Sequence, residues 1–247
     1  MNTVTFKRII LFGFLAGLLI VIEPALAGPG GKIASAIFDT FWGRVIFIAL
    51  TIIFLPLILY MLIWEKISER RTRKDLRYMA GHDAVFDWLK IRERAVDCFH
   101  RVHSGWESED LSSVSSWMTD WYWQNQQFVH LERWKKEGLV NICLVKKMTK
   151  IKPLLFVHRN QGSEHEDSMV VISIAAKMKD YLQERNSGKV VEGSKRFKEV
   201  ETVWSFTLEN GIWKVSNIDE SSMSLEYAKM VKELPKIEST VISELRA

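Results

Sequence analysis

A long apolar run in the first third of the chain dominates the pattern of hydrophobic and polar positions. Residues 45–64 read VIFIALTIIFLPLILYMLIW and contain no charged side chain. At about 1.5 Å of rise per residue, a helix of roughly 20 residues matches a hydrocarbon core of about 30 Å. The run therefore predicts a transmembrane helix over 45–64, in which Pro56 removes one backbone hydrogen bond.

A shorter apolar run, IILFGFLAGLLIVI, lies near the start of the chain behind Lys7 and Arg8. It is followed by EPALA, in which Ala25 and Ala27 occupy the small-residue positions of a cleavage site. These features predict a bacterial secretory signal over 1–27, with an uncleaved first transmembrane helix as the alternative. Residues 28–44 then form a short external segment.

The charges that flank the 45–64 run are asymmetric. Shortly before it stand only Lys32, Asp39 and Arg44, whereas a dense group of cations follows. That group consists of Lys66, Arg70, Arg71, Arg73, Lys74 and Arg77. Because the more positive flank stays in the cytoplasm, residues 65–247 are predicted to lie on the cytoplasmic face of a bacterial inner membrane, whether or not the signal is cleaved. We interpret 65–82 as a basic juxtamembrane linker.

After residue 82 the apolar positions recur at helical spacing. A first amphipathic helix is predicted from Asp83 to a C-terminal cap at Gly105. A second is predicted after an N-terminal cap at Ser108, and a third from near Asp120 to Gly138.

Beyond Gly138, β-branched and apolar runs replace the helical period. LVNICLVKKMTKI, PLLFVHRN and SMVVISIAAKMKDYLQ predict strands, and the polar turn QGSEHED precedes the last of them. In VWSFTLENGIWKVSNI, the Asn210-Gly211 pair is a favoured hairpin turn. That turn pairs Leu208 with Trp213, Phe206 with Val215 and Trp204 with Asn217, and it places Trp204, Phe206, Leu208, Trp213 and Val215 on one face.

This order of elements predicts an α+β domain over 83–220, with helices packed on one face of a curved antiparallel sheet. Residues 221–247 are predicted to add a C-terminal helix and tail, helical to about Leu234 and interrupted at Pro235.

Composition narrows the possible functions without naming one. The net charge is +4 and the charged fraction is 26%, so nucleic-acid binding is not indicated. Cys98 and Cys143 lie in apolar stretches and are predicted to be buried thiols. His100 and His103 are three residues apart and lack an identifiable third ligand, so neither a metal nor a cofactor is expected.

The helices, the segment GWESEDLSSVSSWMTD and the final strands ETVWSFTLENGIWKVSNID together resemble the Tim44-like family over residues 83–220. The matching positions are Trp106, Asp110, Leu111, Glu201, Trp204, Phe206, Trp213 and Ile218. The resemblance implies a nuclear-transport-factor-two-like cone around an apolar pocket, and bacterial relatives that are lipid-binding or transport-associated. The chain departs from the mitochondrial members, which lack this signal and spanning helix.

Two sets of candidate site residues follow. The six cations from Lys66 to Arg77 are predicted to contact anionic lipid headgroups, at about 1 kcal/mol each. A set of aromatic side chains is predicted to line the pocket or to fill the core; these are Trp106, Trp117, Trp121, Trp204, Phe206 and Trp213.

The function predicted from these observations is a membrane-anchored, non-catalytic binding module of the bacterial inner membrane, associated with lipid binding or with protein transport and membrane-protein assembly. Its partners are expected to be anionic lipids, and a membrane protein complex or a translocating peptide. An adaptor that docks a membrane protein complex is the alternative. A cryptic enzyme in the cone pocket is less favoured, because Asp87, Asp97, Tyr122 and Tyr181 are candidates by type alone.

Overall fold

The computed structural model of the protein describes residues 41–160 and 165–241. The chain divides into two compact units, Met1–Tyr60 and Met61–Ala247. The predicted signal over 1–27 lies outside the described residues, as does most of the predicted external segment over 28–44.

Helix α1 covers Phe41–Ala80 and contains Pro56 in its interior. One helix of the described part of the chain, Arg44–Ala80, is long and apolar enough to cross a membrane. The helix passes Trp64 without interruption, because no glycine or proline follows before Gly81. The segment 65–82, interpreted from the sequence as a linker, is therefore helical up to Ala80.

Helix α2 covers Trp88–Glu107, after a single 3-10 turn at Ala84–Phe86. The Asp87 carboxylate caps α2 by accepting a hydrogen bond of 2.7 Å from the Leu89 amide. The predicted start at Asp83 and the predicted cap at Gly105 were both wrong by a few residues.

Gly105 lies inside α2 and is not a C-terminal cap. The space beside it allows only a small residue. A β-carbon at this position would stand 2.7 Å from Val114 Cγ2 and 2.9 Å from Leu111 Cδ2. The glycine therefore allows the following segment to pack directly against the helix.

We expect Gly105→Ala to lower the free energy of unfolding by about 1–2 kcal/mol. Overpacking costs about 1–3 kcal/mol, and the better helix propensity of alanine offsets up to ~1 kcal/mol of that loss. Thermal unfolding followed by circular dichroism measures the change. Ser104→Ala, at an exposed position of the same helix, is the matched control, and a Gly105→Ala protein as stable as this control would contradict the prediction.

The region between α2 and the sheet is irregular. It contains a 3-10 helix at Ser112–Trp117, helix α3 at Asp120–Asn125, a π-helix at Gln126–Leu131 and helix α4 at Glu132–Lys136. The predicted second helix is thus a 3-10 segment, and it begins beside Asp110 and not at Ser108. Asp110 accepts hydrogen bonds from the Ser112 amide and hydroxyl.

Four antiparallel strands form one sheet in the order β1-β2-β3-β4. They are β1 at Leu139–Val157, β2 at Met169–Glu184, β3 at Val190–Glu209 and β4 at Ile212–Glu220. The two runs predicted as separate strands before residue 160 are one strand, interrupted by bulges. Pro153 is accommodated because β1 lies at the edge of the sheet.

The β3–β4 hairpin follows the predicted register near its turn. Leu208 pairs with Trp213 and Phe206 with Val215, but Trp204 pairs with Ile218 and not with Asn217. A bulge between Ser205 and Phe206 inserts one extra residue into β4 and shifts the pairing.

The hydrophobic core lies between α2 and one face of the sheet. The five hairpin residues predicted to share a face all belong to it, namely Trp204, Phe206, Leu208, Trp213 and Val215. A smaller cluster includes Leu155, Val171 and Val203 with Val231, which follows helix α5 at Ser224–Met230. A short helix α6 at Ile237–Val241 comes last among the described residues. The predicted α+β class is confirmed.

Candidate functional site

The second half of α1 packs against the domain that contains the sheet. Ser68, Thr72, Leu76 and Met79 are buried, and their spacing of three or four residues puts them on one side of the helix. The Ser68 hydroxyl donates a hydrogen bond to the Leu154 carbonyl of β1. This contact face makes the end of α1 a structural part of the second unit.

Four of the six predicted cations form a stripe on the opposite side of α1. Lys66, Arg70, Lys74 and Arg77 are exposed, and at about 100° per residue they lie within an arc of roughly 80°. Lys66 is paired with Glu69 at 2.9 Å. Arg70, Lys74 and Arg77 form no ion pair with any residue of 41–160 or 165–241. We call these four residues the cationic stripe.

The other two predicted cations hold the helix to the domain. Arg71 donates to Asp75 at 3.0 Å and to the Pro235 carbonyl at 3.0 Å. Arg73 donates to Glu69 at 3.0 Å, and its guanidinium lies 5.0 Å from the centre of the Trp88 ring. The six residues predicted as one lipid-contacting group therefore fall into two groups with different surroundings.

The cations of α1 and burial together shift the pKa values of two acidic residues of the helix, Asp75 and Glu69. Desolvation raises the pKa of Asp75, and the hydrogen bond from Arg71 opposes that change without reversing it. For Glu69, desolvation is outweighed by hydrogen bonds from Lys66 and Arg73, so its pKa is lowered. Glu69 thus remains ionised and neutralises part of the positive charge nearest to it.

A second cationic surface, which the sequence reading missed, lies on the sheet. Lys147 of β1 pairs directly with Lys177 of β2, and like charges in such positions repel. Nearby, the ammonium groups of Lys146 and Lys179 lie 5.5 and 4.9 Å from the centre of the Phe197 ring. The signal was present in KKMTK, KMK and KRFK, but residues 190–200 were not recognised as a strand, so the lysines were not placed together.

The aromatic candidates divide by burial. Trp204, Phe206 and Trp213 are core residues, and the Trp213 indole donates to the Val85 carbonyl at 2.9 Å. Trp117 is half-buried, with the guanidinium groups of Arg94 and Arg101 at 3.7 and 4.1 Å from its ring centre.

The prediction for Trp121 was wrong, and Trp106 is a separate case. Trp121 is 70% exposed, so it neither fills the core nor lines a pocket within it. Trp106 is half-buried and lines a cavity of about 180 Å³ at the end of the sheet.

The residues considered for catalysis do not come together. Asp87, Asp97 and Tyr181 line three separate cavities. Tyr122 is buried, and desolvation followed by the charge of Asp219 raises its pKa. These groups therefore share no common reaction site.

Of the histidine and cysteine candidates, His103 packs against an aromatic ring, and the two cysteines form no disulfide. His103 lies 4.1 Å from Phe99, ring centre to ring centre, and desolvation lowers its pKa to about 4. Cys98 and Cys143 are buried free thiols, as predicted, and desolvation raises the pKa of Cys98 to about 12. In the part of the chain that the structure describes, no group of three or more histidine, cysteine or acidic side chains is placed to hold a metal ion.

Comparison with known proteins gives one family. A family model for the Tim44-like domain matches residues 72–220, which is more than half of the chain. No curated protein sequence matches the chain. Among solved structures, the intermembrane space region of the chloroplast protein ARC6 has a TM-score of 0.35 and 8% sequence identity, over 51% of this chain and 95% of that chain. A likeness at this level says nothing about function.

Proposed function

The chain belongs to the Tim44-like domain family, and from this premise we propose that it is a membrane-anchored, non-catalytic binding module of a bacterial inner membrane. Domains of this family are associated with membrane protein transport and assembly, and they are generally not catalytic. In the proposal, α1 is the anchor and residues 65–247 lie in the cytoplasm.

The observation that carries the proposal is the continuity of α1. Its apolar part is followed, without a break, by a face whose side chains Ser68, Thr72, Leu76 and Met79 are buried, and the Ser68 hydroxyl donates to the Leu154 carbonyl of β1. The positive flank after Trp64 supports a cytoplasmic position for the domain, because cytoplasmic segments next to membrane helices are enriched in lysine and arginine.

A reporter enzyme fused after Ala247 tests the orientation. We expect activity from a cytoplasmic reporter and none from a periplasmic one, because the positive flank of α1 resists translocation. Replacing the four stripe residues by glutamine, with the apolar run unchanged, is a useful comparison, since it weakens the orienting signal. Periplasmic activity in the unmodified fusion would overturn the cytoplasmic assignment.

We further propose that the cationic stripe contacts anionic headgroups, and helix geometry assigns unequal roles to its members. If the bilayer ends near Trp64, then at 1.5 Å per residue Lys66 lies about 3 Å beyond it and Arg70 about 9 Å. Lys74 and Arg77 lie about 15 and 20 Å beyond it along the helix axis. The Debye length is about 8 Å at physiological salt, so the first two residues contribute most.

The double variant Lys66→Gln/Arg70→Gln is therefore expected to weaken the preference of the full chain for anionic over zwitterionic lipid. At about 1 kcal/mol per cation, the relative association constant falls about fivefold for each residue removed. Electron paramagnetic resonance of spin-labelled lipids around the reconstituted protein measures this constant. Lys74→Gln/Arg77→Gln is the matched control, and equal losses in the two double variants would refute the graded contact.

An adaptor function is the second candidate, and an exposed apolar surface favours it. Trp121 and Phe128 are 70% and 66% exposed, and Val129 beside them is also exposed. Exposed aromatic side chains of this kind are typical of protein contact surfaces. A photo-crosslinking residue at Phe128 should then capture a stoichiometric protein in membranes, whereas one at the exposed control position Gln124 should capture less. Lipid adducts alone at Phe128 would argue against the adaptor.

A further inference from the structure

A cavity at one end of the sheet combines acidic, aromatic and amide side chains. Its volume is about 180 Å³, and its walls include Trp106 of α2, Trp134 of α4 and Asn141 of β1, together with Asp180 and Glu192 from β2 and β3. Asp180 lies two residues from the core residue Met178, so it points to the same side of the sheet. The cavity thus lies on the core-facing side of the sheet, where the buried Leu182 of β2 also lines it.

The acidic wall lacks a positive partner. Neither Asp180 nor Glu192 forms an ion pair with another residue of the described ranges. Desolvation, and then the negative charge of Glu192, raise the pKa of Asp180, although the residue keeps contact with solvent. No cation offsets this shift, so the wall favours a positively charged or proton-donating group.

Two nitrogen atoms in the same walls need a hydrogen-bond acceptor, which the acidic wall does not provide. Asn141 is only 5% exposed, and its amide nitrogen has no hydrogen-bond partner in the protein; the same is true of the Trp106 indole nitrogen. A buried donor without a partner costs about 1–3 kcal/mol. Both nitrogens are covered by their surroundings, so neighbouring side chains must move before an acceptor oxygen can reach either of them.

The acidic wall is held in place by a close approach of two strands. Gly193 has φ +81°, and a β-carbon there would stand 2.3 Å from the Asp180 carbonyl oxygen. Only glycine allows β3 to pass β2 at this distance and in this conformation. The close approach of the two strands therefore fixes the backbone positions of Asp180 and Glu192.

Together these features exclude the simplest ligands. A plain anion would be repelled by Asp180 and Glu192, and a plain cation would leave the Asn141 and Trp106 donors unmet. We propose that the cavity binds an ammonium group that carries an acceptor oxygen a few bonds away, as in phosphoethanolamine. The ammonium faces Asp180 and Glu192, the oxygen accepts from Asn141 and Trp106, and the indole rings contribute cation–π attraction.

This ligand chemistry has two sources, a zwitterionic lipid headgroup and a free amino-alkyl phosphate. Binding of the free compound does not depend on the membrane function proposed above. A failure here therefore leaves the Lys66 and Arg70 prediction untouched, and the reverse also holds.

The test uses the full chain in nanodiscs of phosphatidylcholine, with ¹⁵N-labelled tryptophan. The Trp106 indole signal is identified by its loss in Trp106→Phe, and O-phosphoethanolamine is titrated against glycerol 3-phosphate, which has the phosphate but no ammonium. We expect a saturable shift of the Trp106 signal with O-phosphoethanolamine and no shift with glycerol 3-phosphate. Asp180→Asn should weaken binding about tenfold, as expected for loss of one charged hydrogen bond, whereas the exposed control Asp97→Asn should not.

Equal binding of glycerol 3-phosphate, an unmoved Trp106 signal, or unchanged affinity in Asp180→Asn would each overturn the proposal. Nanodiscs of phosphatidylethanolamine then identify the source. A shifted Trp106 signal in these discs without added compound supports a lipid headgroup, and a shift that requires the added compound supports a free ligand.

Discussion

Replacing Trp204 by alanine is expected to cost about 3–5 kcal/mol of stability, the range for removal of a large aromatic side chain from a core. Trp204 is fully buried, with ring centres at 5.3 Å from Phe99 and 6.4 Å from Phe206. Its indole nitrogen donates to the Thr202 hydroxyl at 2.8 Å, so the substitution also removes a hydrogen bond. Thermal unfolding of the full chain in mild detergent should show Tm lower by roughly 10 °C.

Trp121→Ala is the matched control, because the same side chain is removed from a position that is 70% exposed. Substitutions at such surface positions usually change stability by less than about 0.5 kcal/mol. Equal losses of stability in the two variants would contradict the prediction, because they would mean that burial does not distinguish Trp204 from Trp121.

The sequence placed Trp121 and Trp204 in one aromatic group, and only one of them is in the core. The strand prediction for Trp204 was reliable because a two-residue turn at Asn210 and Gly211 determines which side chains share a face. The helical prediction for Trp121 assumed 3.6 residues per turn. A 3-10 helix before it and a π-helix after it have other periods, so the apolar stripe does not continue in phase.

The end of α1 was misread for a different reason. Its buried face includes Ser68 and Thr72, which are polar, and the cations between them dominate the local composition. A hydrophobic pattern does not reveal a contact made by a hydroxyl group with the Leu154 carbonyl. The charge asymmetry, by contrast, was readable, and four of the six cations are indeed exposed.

Most of β3 before Val200 was also missed. Gly193 and a dense set of charged residues argue against a strand when each is considered alone. In the structure residues 190–200 of β3 pair with β2 on one side, whereas β4 pairs only with residues 202–209, and the charged side chains of this part stand on the sheet surface. Pairing with a partner strand overrode local preference, and that partner is not visible in a local window of sequence.

An ion cluster centred on the buried Lys152 joins α1 to the sheet, and breaking it is the second large effect that we expect. Lys152 of β1 is paired with Glu65 of α1 and lies 3.9 Å from Glu201 of β3. Lys152→Met leaves two carboxylates without their cation, at a cost of roughly 2–4 kcal/mol. Lys198→Met, at an exposed position of β3, is the control and should be nearly neutral.

Adding Glu65→Gln to Lys152→Met should recover part of the loss, because it removes one uncompensated charge. The recovery distinguishes an electrostatic cause from a packing defect, since a packing defect at Lys152 would persist in the double variant. Additive losses in the double variant would therefore contradict the ion cluster.

The pH dependence of stability gives the same cluster an independent test. Desolvation lowers the pKa of Lys152, but the hydrogen bond and charge of Glu65, followed by the charge of Glu201, outweigh it, so the pKa is raised. The folded protein thus holds this proton more tightly than the unfolded chain, whose lysines titrate near pH 10.4. The stabilisation is complete below about pH 10 and is lost as pH rises through the folded-state value. Above about pH 10, the free energy of unfolding should fall more steeply in the unmodified chain than in Lys152→Met, and parallel curves would show that Lys152 is not the group responsible.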